Sequence, residues 1–167
     1  MSKLVLESVT IVHVMDNDPD LSWLGTFSQK PEDGAIDHEP GNNRTFIYFS
    51  PGNGDPEHPE YAQQDYETML AYERQNWWMV GIKATAQVSY ECEHGTRRLQ
   101  DFESYSLWGN EKGMSNDESH LREVEEDQLY DLRKHLVQFG VPVPAGPLQA
   151  DFRVDEFGRK EDLREAM

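Results

Sequence analysis

The stretch "NWWMVGIKATAQVSYECEHGTRRLQDFESYSLW", residues 76–108, decides the fold. Residues 76–91 read as the strongest strand of the chain, and residues 97–108 alternate as a second long strand. "CEHGT" (92–96) joins them, with Gly95 suited to the tight turn of an antiparallel hairpin. Trp77 and Trp78 are adjacent on the first strand and so face opposite sides, one into a core and one toward a second face or an interface.

Outward from this hairpin the pattern changes period. Upstream, "PEYAQQDYETMLAYERQ" (59–75) approximates an amphipathic helix. Downstream, residues 115–140 form the best helix, with Ser115 or Asn116 placed to cap it and Gly140 to stop it. Its stripe is Leu121, Val124, Leu129, Leu132, Leu136 and Phe139. Residues 3–14 alternate as a strand with an irregularity near Ser8, and "RTFIYFS" (44–50) is a short aromatic strand. Residues 16–43 are loop-like, punctuated by Pro and Gly, and so long a loop inside a domain is often functional. The expectation is an α+β protein: a mainly antiparallel sheet of about four strands with two helices packed on one face. Residues 1–140 make a single compact domain, and residues 141–167 a Pro-containing linker and charged C-terminal tail.

The 167 residues carry 32 acidic and 15 basic side chains, a net charge of −17. The excess is steepest in residues 1–73, with 14 acids against three bases. Phosphate-rich partners attract basic patches, so direct binding to nucleic acid or to an anionic membrane is disfavoured. A partner with a basic surface, or a cation, is favoured. An acidic surface also serves solubility. With 11% aromatic residues the chain has the means to build a core. No apolar run reaches the roughly 18–20 residues of a membrane span, and the N-terminal stretch lacks the apolar block of a secretory signal. Cys92 is the single cysteine, which removes internal disulfides and multi-cysteine zinc sites. A cytoplasmic protein is expected.

The motif search yields no catalytic constellation. Asp16, Asp18 and Asp20 in "DNDPDLSWLG" match positions 1, 3 and 5 of a calcium loop, but position 6 is Leu21 and position 12 is Phe27, where glycine and glutamate are required. The six histidines (13, 38, 58, 94, 120 and 135) show no metalloprotease spacing. Cys92 stands between Glu91 and Glu93, which disfavours a thiolate. "PGNGD" fits neither dinucleotide nor P-loop patterns, and no cofactor is indicated. What remains is acidic. Asp117, Glu118, Glu123, Glu125, Glu126, Asp127 and Asp131 line the second helix, mostly off its Leu stripe. A row of carboxylates at helical spacing can imitate a phosphate backbone.

Four stretches, "DNDPDLSWLGTFSQKPEDGAID" (16–37), "RTFIYFSP" (44–51), "DYETMLAYERQNWWMVGIKATAQV" (65–88) and "SYSLWGNEKGMSNDESHLREVEEDQLYDLRKHLVQFG" (104–140), together resemble a widespread family of small proteins of bacteriophages, plasmids and integrative elements. That family has no assigned activity and brings no catalytic residues. The chain departs from it at Asn110–Gly113 and in residues 141–167, which look like an addition.

The expected function is therefore non-enzymatic: an acidic accessory protein of a phage or mobile element, in the host cytoplasm, that binds and inhibits a host protein with a basic surface, such as a restriction or CRISPR effector. The expected partner-binding residues are Asp16, Asp18, Asp20, Trp23, Glu118, Glu123, Glu126 and Asp127. Leu21, Trp23 and Leu24 are expected to pin the acidic loop to the body. The alternatives are a divalent-metal protein, structural or hydrolytic, using the 16–20 loop, and a virion or assembly component.

Overall fold

The element order is β1 (Lys3–Met15), β2 (Gly25–Ser28), β3 (Ile36–Asp37), β4 (Tyr48–Pro51), α1 (Pro59–Glu73), β5 (Trp78–Glu91), β6 (Arg97–Glu103), β7 (Leu107–Lys112), α2 (Ser119–Gln138), β8 (Phe152–Val154) and β9 (Lys160–Asp162). The computed structural model describes residues 3–30, 32, 34–37, 48–52, 54–95 and 97–166. These gather into two units, one of residues 1–17 with 79–167 and one of residues 18–78.

The first unit is built on β5. A mixed six-stranded sheet runs β6-β5-β1-β8-β9, with β7 also paired to β5. β1 and β5 are antiparallel over their whole length, and the register shifts between Leu6 and Ser8, at the irregularity read from the sequence. Alternation gives this sheet one dry face. Val80, Ile82, Ala84, Ala86 and Val88 of β5 are at most 1% exposed. Val9, Ile11 and His13 of β1 lie directly opposite Ala86, Ala84 and Ile82 on the same face. α2 supplies Leu121, Leu132 and Leu136, all fully buried. Each such leucine contributes about 1.5–3 kcal/mol of burial. Gly140, at φ 75°, takes the left-handed conformation that ends α2.

β6 and β7 replace the single strand expected over 97–108. The interruption has a local cause in Ser104. Its N–H donates to the Ala84 carbonyl at 2.9 Å, and its hydroxyl oxygen accepts the Ala84 N–H at 2.8 Å. The hydroxyl proton goes to Gln128 Oε1 of α2 at 2.7 Å. One side chain thus stands in for a strand carbonyl and ties the sheet to the helix. In β7, Trp108 lies over Gly81 so closely that a Cβ there would meet its ring at 2.6 Å.

Residues 141–167 differ most from the sequence reading. They carry β8, parallel to β1 (Thr10 opposite Phe152, Val12 opposite Val154), and β9, antiparallel to β8. Asp151 locks the junction: its N–H donates to the Val9 carbonyl and its Oδ2 accepts the Val9 N–H, both at 2.8 Å. The free edge of β1 is covered in this way, which satisfies the strand's second row of backbone groups.

The second unit is a three-stranded antiparallel sheet, β2-β4-β3, with α1 packed on β4 and β2. β2 and β3 fall in the segment read as one long loop. Short strands with little alternation leave almost no periodic signal. Residues 44–47 of the expected aromatic strand lie outside the described residues, and β4 holds its end. Phe49 is fully buried, its ring 5.2 Å from Phe27 and 5.3 Å from Tyr66. Trp77 is the tryptophan that enters the core, at 2% exposure, with its indole N–H donating to the Thr68 carbonyl at 2.9 Å.

The fold class is therefore α+β, as expected, with more strands than expected. The helices are a correction. They do not share one sheet: α1 packs on β2 and β4, while α2 covers the large sheet.

Candidate functional site

The acids of α2 separate by what they touch. Glu125, counted among the ribbon in the sequence, is only 4% exposed and belongs to the interior. Asp131 accepts the Tyr105 N–H at 3.0 Å and pairs with Lys134 at 3.1 Å; burial opposes its charge, and these contacts hold its carboxyl below the ordinary range. Asp117 accepts the Ser119 N–H at 3.0 Å, a bond that lowers its pKa. Glu118, rather than Ser115 or Asn116, occupies the N-cap position, and its side chain makes no capping bond. It lies 3.9 Å from Arg122. Glu123, Glu126 and Asp127 remain. All three are exposed, and among the described residues no cation pairs with them.

These three carboxylates stand at i, i+3 and i+4, neighbours on one helical face. They fall within roughly 6 Å along the axis, at 1.5 Å per residue. Duplex DNA carries about one phosphate charge per 3.4 Å on each strand. The face therefore presents negative charge at a density comparable to a phosphate backbone, on a helix whose opposite side is locked into the core. Like charges at this spacing cost a few tenths of a kcal/mol per pair and add nothing to folding.

The loop residues are distributed differently. Asp16 is half-buried just beyond β1, its N–H donating to the Met79 carbonyl at 2.9 Å. Asp18 and Asp20 are exposed in the second unit. Asp20 Oδ1 accepts the Ser22 N–H at 3.0 Å, and hydrogen bonding to Ser22 lowers its pKa. Leu24 is the residue that pins this loop, at 2% exposure; Trp23 is 49% exposed, contrary to the expected pinning role. Its side chain is left at the surface while its carbonyl lies against Gly52, whose added Cβ would fall 2.1 Å from that oxygen. Among the described residues, no group of three or more His, Cys, Asp or Glu side chains is placed to hold a metal ion.

Sequence reasoning missed a buried charge network centred on Glu125. Its Oε1 accepts from His13 Nε2 at 2.7 Å, Arg122 Nη1 at 2.7 Å and Arg153 Nε at 2.8 Å, and its Oε2 accepts from Arg153 Nη2 at 2.7 Å. Burial raises the carboxyl's pKa. The hydrogen bonds from His13 and Arg153 and the charges of Arg153 and Arg122 outweigh it and hold the group at about 2. Arg153 continues to Glu161 at 2.8 Å. On the other side, Lys112 Nζ donates to His13 Nδ1 at 3.2 Å and to Glu156 at 2.6 Å. These partners assign the imidazole tautomer: Nε2 carries the proton and Nδ1 accepts. β1, β7, α2 and β8 meet in this one network. The only signal available in the sequence was a histidine at an inward position of β1 and a glutamate four residues after Leu121 on the helix's apolar side.

No helix of the described chain is long and apolar enough to cross a membrane. Comparisons with protein-family models, with curated proteins and with solved structures found no match.

Proposed function

We propose that this protein acts by binding, as an acidic accessory protein of a phage or mobile element that docks on and inhibits a basic, nucleic-acid-binding host protein in the host cytoplasm. The observation that carries this reading is the trio Glu123, Glu126 and Asp127: exposed, without cationic partners among the described residues, and mounted on a helix anchored by three fully buried leucines. The net charge of −17 favours a partner with a basic surface. Asp18, Asp20 and Trp23 offer a second exposed acidic and aromatic element. The phage assignment rests on the resemblance of the four sequence blocks, and the defence-effector identity of the partner on the phosphate-like charge spacing.

The test is the ionic-strength dependence of binding to the host protein that the tagged chain captures from host cells. Electrostatic docking loses affinity steeply between low and high salt, because exposed charges are screened beyond about 10 Å at 0.1 M. Affinity that stays constant over that range overturns the reading.

A further inference from the structure

A cavity of about 790 Å³ lies in the first unit between α2, the 146–150 segment and β8. Its size falls within the range of roughly 300–1,000 Å³ typical of small-molecule sites. Leu129, Leu148 and Leu163 give it an apolar lining. The polar part is unusual for so acidic a chain: Arg122, Arg133 and Arg153 line it together with Glu125 and Glu126.

Arg153 is satisfied by Glu125 and Glu161. Arg122 shares Glu125. Arg133 is different. Its Nε donates to the Gly146 carbonyl at 2.9 Å and its Nη2 reaches the Pro144 carbonyl at 3.5 Å, both uncharged acceptors. Among the described residues no carboxylate pairs with it. Two of its five N–H donors are used, and the backbone clamp fixes the plane of a guanidinium whose remaining donors suit a carboxylate. Holding a donor group in place before binding removes part of the entropic cost of capturing a ligand. Glu126, seven residues earlier on α2, lies roughly 10 Å away along the axis and leaves that charge in place. It disfavours a second negative group on the occupant.

We propose that this cavity is a binding site for a small organic monoanion with an apolar body, its carboxylate on Arg133 and its apolar part against Leu129, Leu148 and Leu163. The site borders the outer face of α2 and shares Glu126 with it, while Arg133 and the three leucines belong to the cavity alone. It exists because residues 144–150 fold back along the helix and bring two carbonyls to Arg133.

The test is calorimetric and ligand-observed NMR titration of the full chain with 4-phenylbutyrate and decanoate, beside the neutral 4-phenylbutan-1-ol and the cationic 4-phenylbutylamine. The carboxylates bind saturably, one per chain, at least tenfold tighter than the alcohol, and the amine binds more weakly still. Arg133→Gln weakens the carboxylates tenfold or more and leaves the alcohol unchanged, whereas Arg133→Lys, which keeps the charge but loses the fork and its backbone clamp, falls between the two. Leu129→Trp puts an indole where the apolar part of the occupant would lie and weakens carboxylate and alcohol alike, so it tests the site even where Arg133→Gln loosens the segment. Absence of saturable binding, equal affinity for alcohol and carboxylate, or an Arg133→Gln variant that binds like wild type overturns the proposal.

Discussion

Replacing Glu125 by Gln removes one buried negative charge and keeps the shape of the side chain. In the folded chain the carboxyl is held at about 2, against an ordinary 4.5. That difference is worth roughly 3 kcal/mol of stability at pH 7. The figure sits at the low end of the roughly 3–5 kcal/mol seen when one partner of a buried ion pair is removed. The expected mechanism is the stranding of Arg122 and Arg153, because an amide presents one acceptor where the carboxylate presents two. A depressed pKa contributes its full stability above the unfolded value and loses it as pH falls toward the folded value. The gap in unfolding free energy between wild type and Glu125→Gln is therefore constant from pH 7 to about 5. It shrinks through pH 4 and 3, and the ionisation part is largely gone near pH 2. Urea denaturation of both proteins at each pH measures it, and protonation of the other carboxylates, common to both, cancels in the difference. A gap below about 1 kcal/mol at pH 7, or a gap that does not change between pH 5 and 2.5, refutes the account of the network.

Two further outcomes follow from the same packing. Gly81→Ala places a methyl group where the Trp108 ring lies, at 2.6 Å from its nearest atom, so the ring is displaced. The expected cost is about 1–3 kcal/mol, with a red shift of tryptophan emission; an unchanged melt and spectrum contradicts the contact. Truncation after Gly146 removes Asp151, Arg153 and Glu156 together. It uncovers the edge of β1 and strands Glu125 and Lys112, so the shortened chain is less stable than Glu125→Gln and self-associates on gel filtration. A truncated monomer with wild-type stability would show that residues 147–167 are an appendage after all.

The parts of the fold legible in the sequence were those with a long, regular period. β1, β5 and α2 were found because alternation or helical spacing persists over many residues, and even the shift near Ser8 left its mark in the pattern. The break at Ser104 was not legible, because a serine in an alternating run looks like any outward polar residue until Ala84 and Gln128 are beside it. β8 was hidden for a related reason. Phe152 and Val154 flank an arginine that looks solvated in the sequence, yet Arg153 points to Glu125, 28 positions earlier. The same blindness placed Glu125 in the acidic ribbon and Phe139, 65% exposed, in the buried stripe. Helical spacing assigns a residue to a sector of the helix, but whether that sector meets the sheet depends on partners distant in sequence. The exposure of Glu123, Glu126 and Asp127 was readable because a face without cationic partners among the described residues needs no long-range contact.

The central claim is that the outer face of α2 presents a phosphate-like surface to a basic partner. The most direct measurement is displacement of duplex DNA from the captured host partner by the wild-type chain and by the variant Glu123→Lys, Glu126→Lys, Asp127→Lys. The three positions are exposed, so the variant melts as wild type does, within about 1 kcal/mol. Wild type displaces the DNA, and the charge-reversed variant requires at least tenfold more protein to do so. A variant that melts normally and displaces DNA as well as wild type, or a wild-type chain that binds its partner without competing with DNA, contradicts the claim.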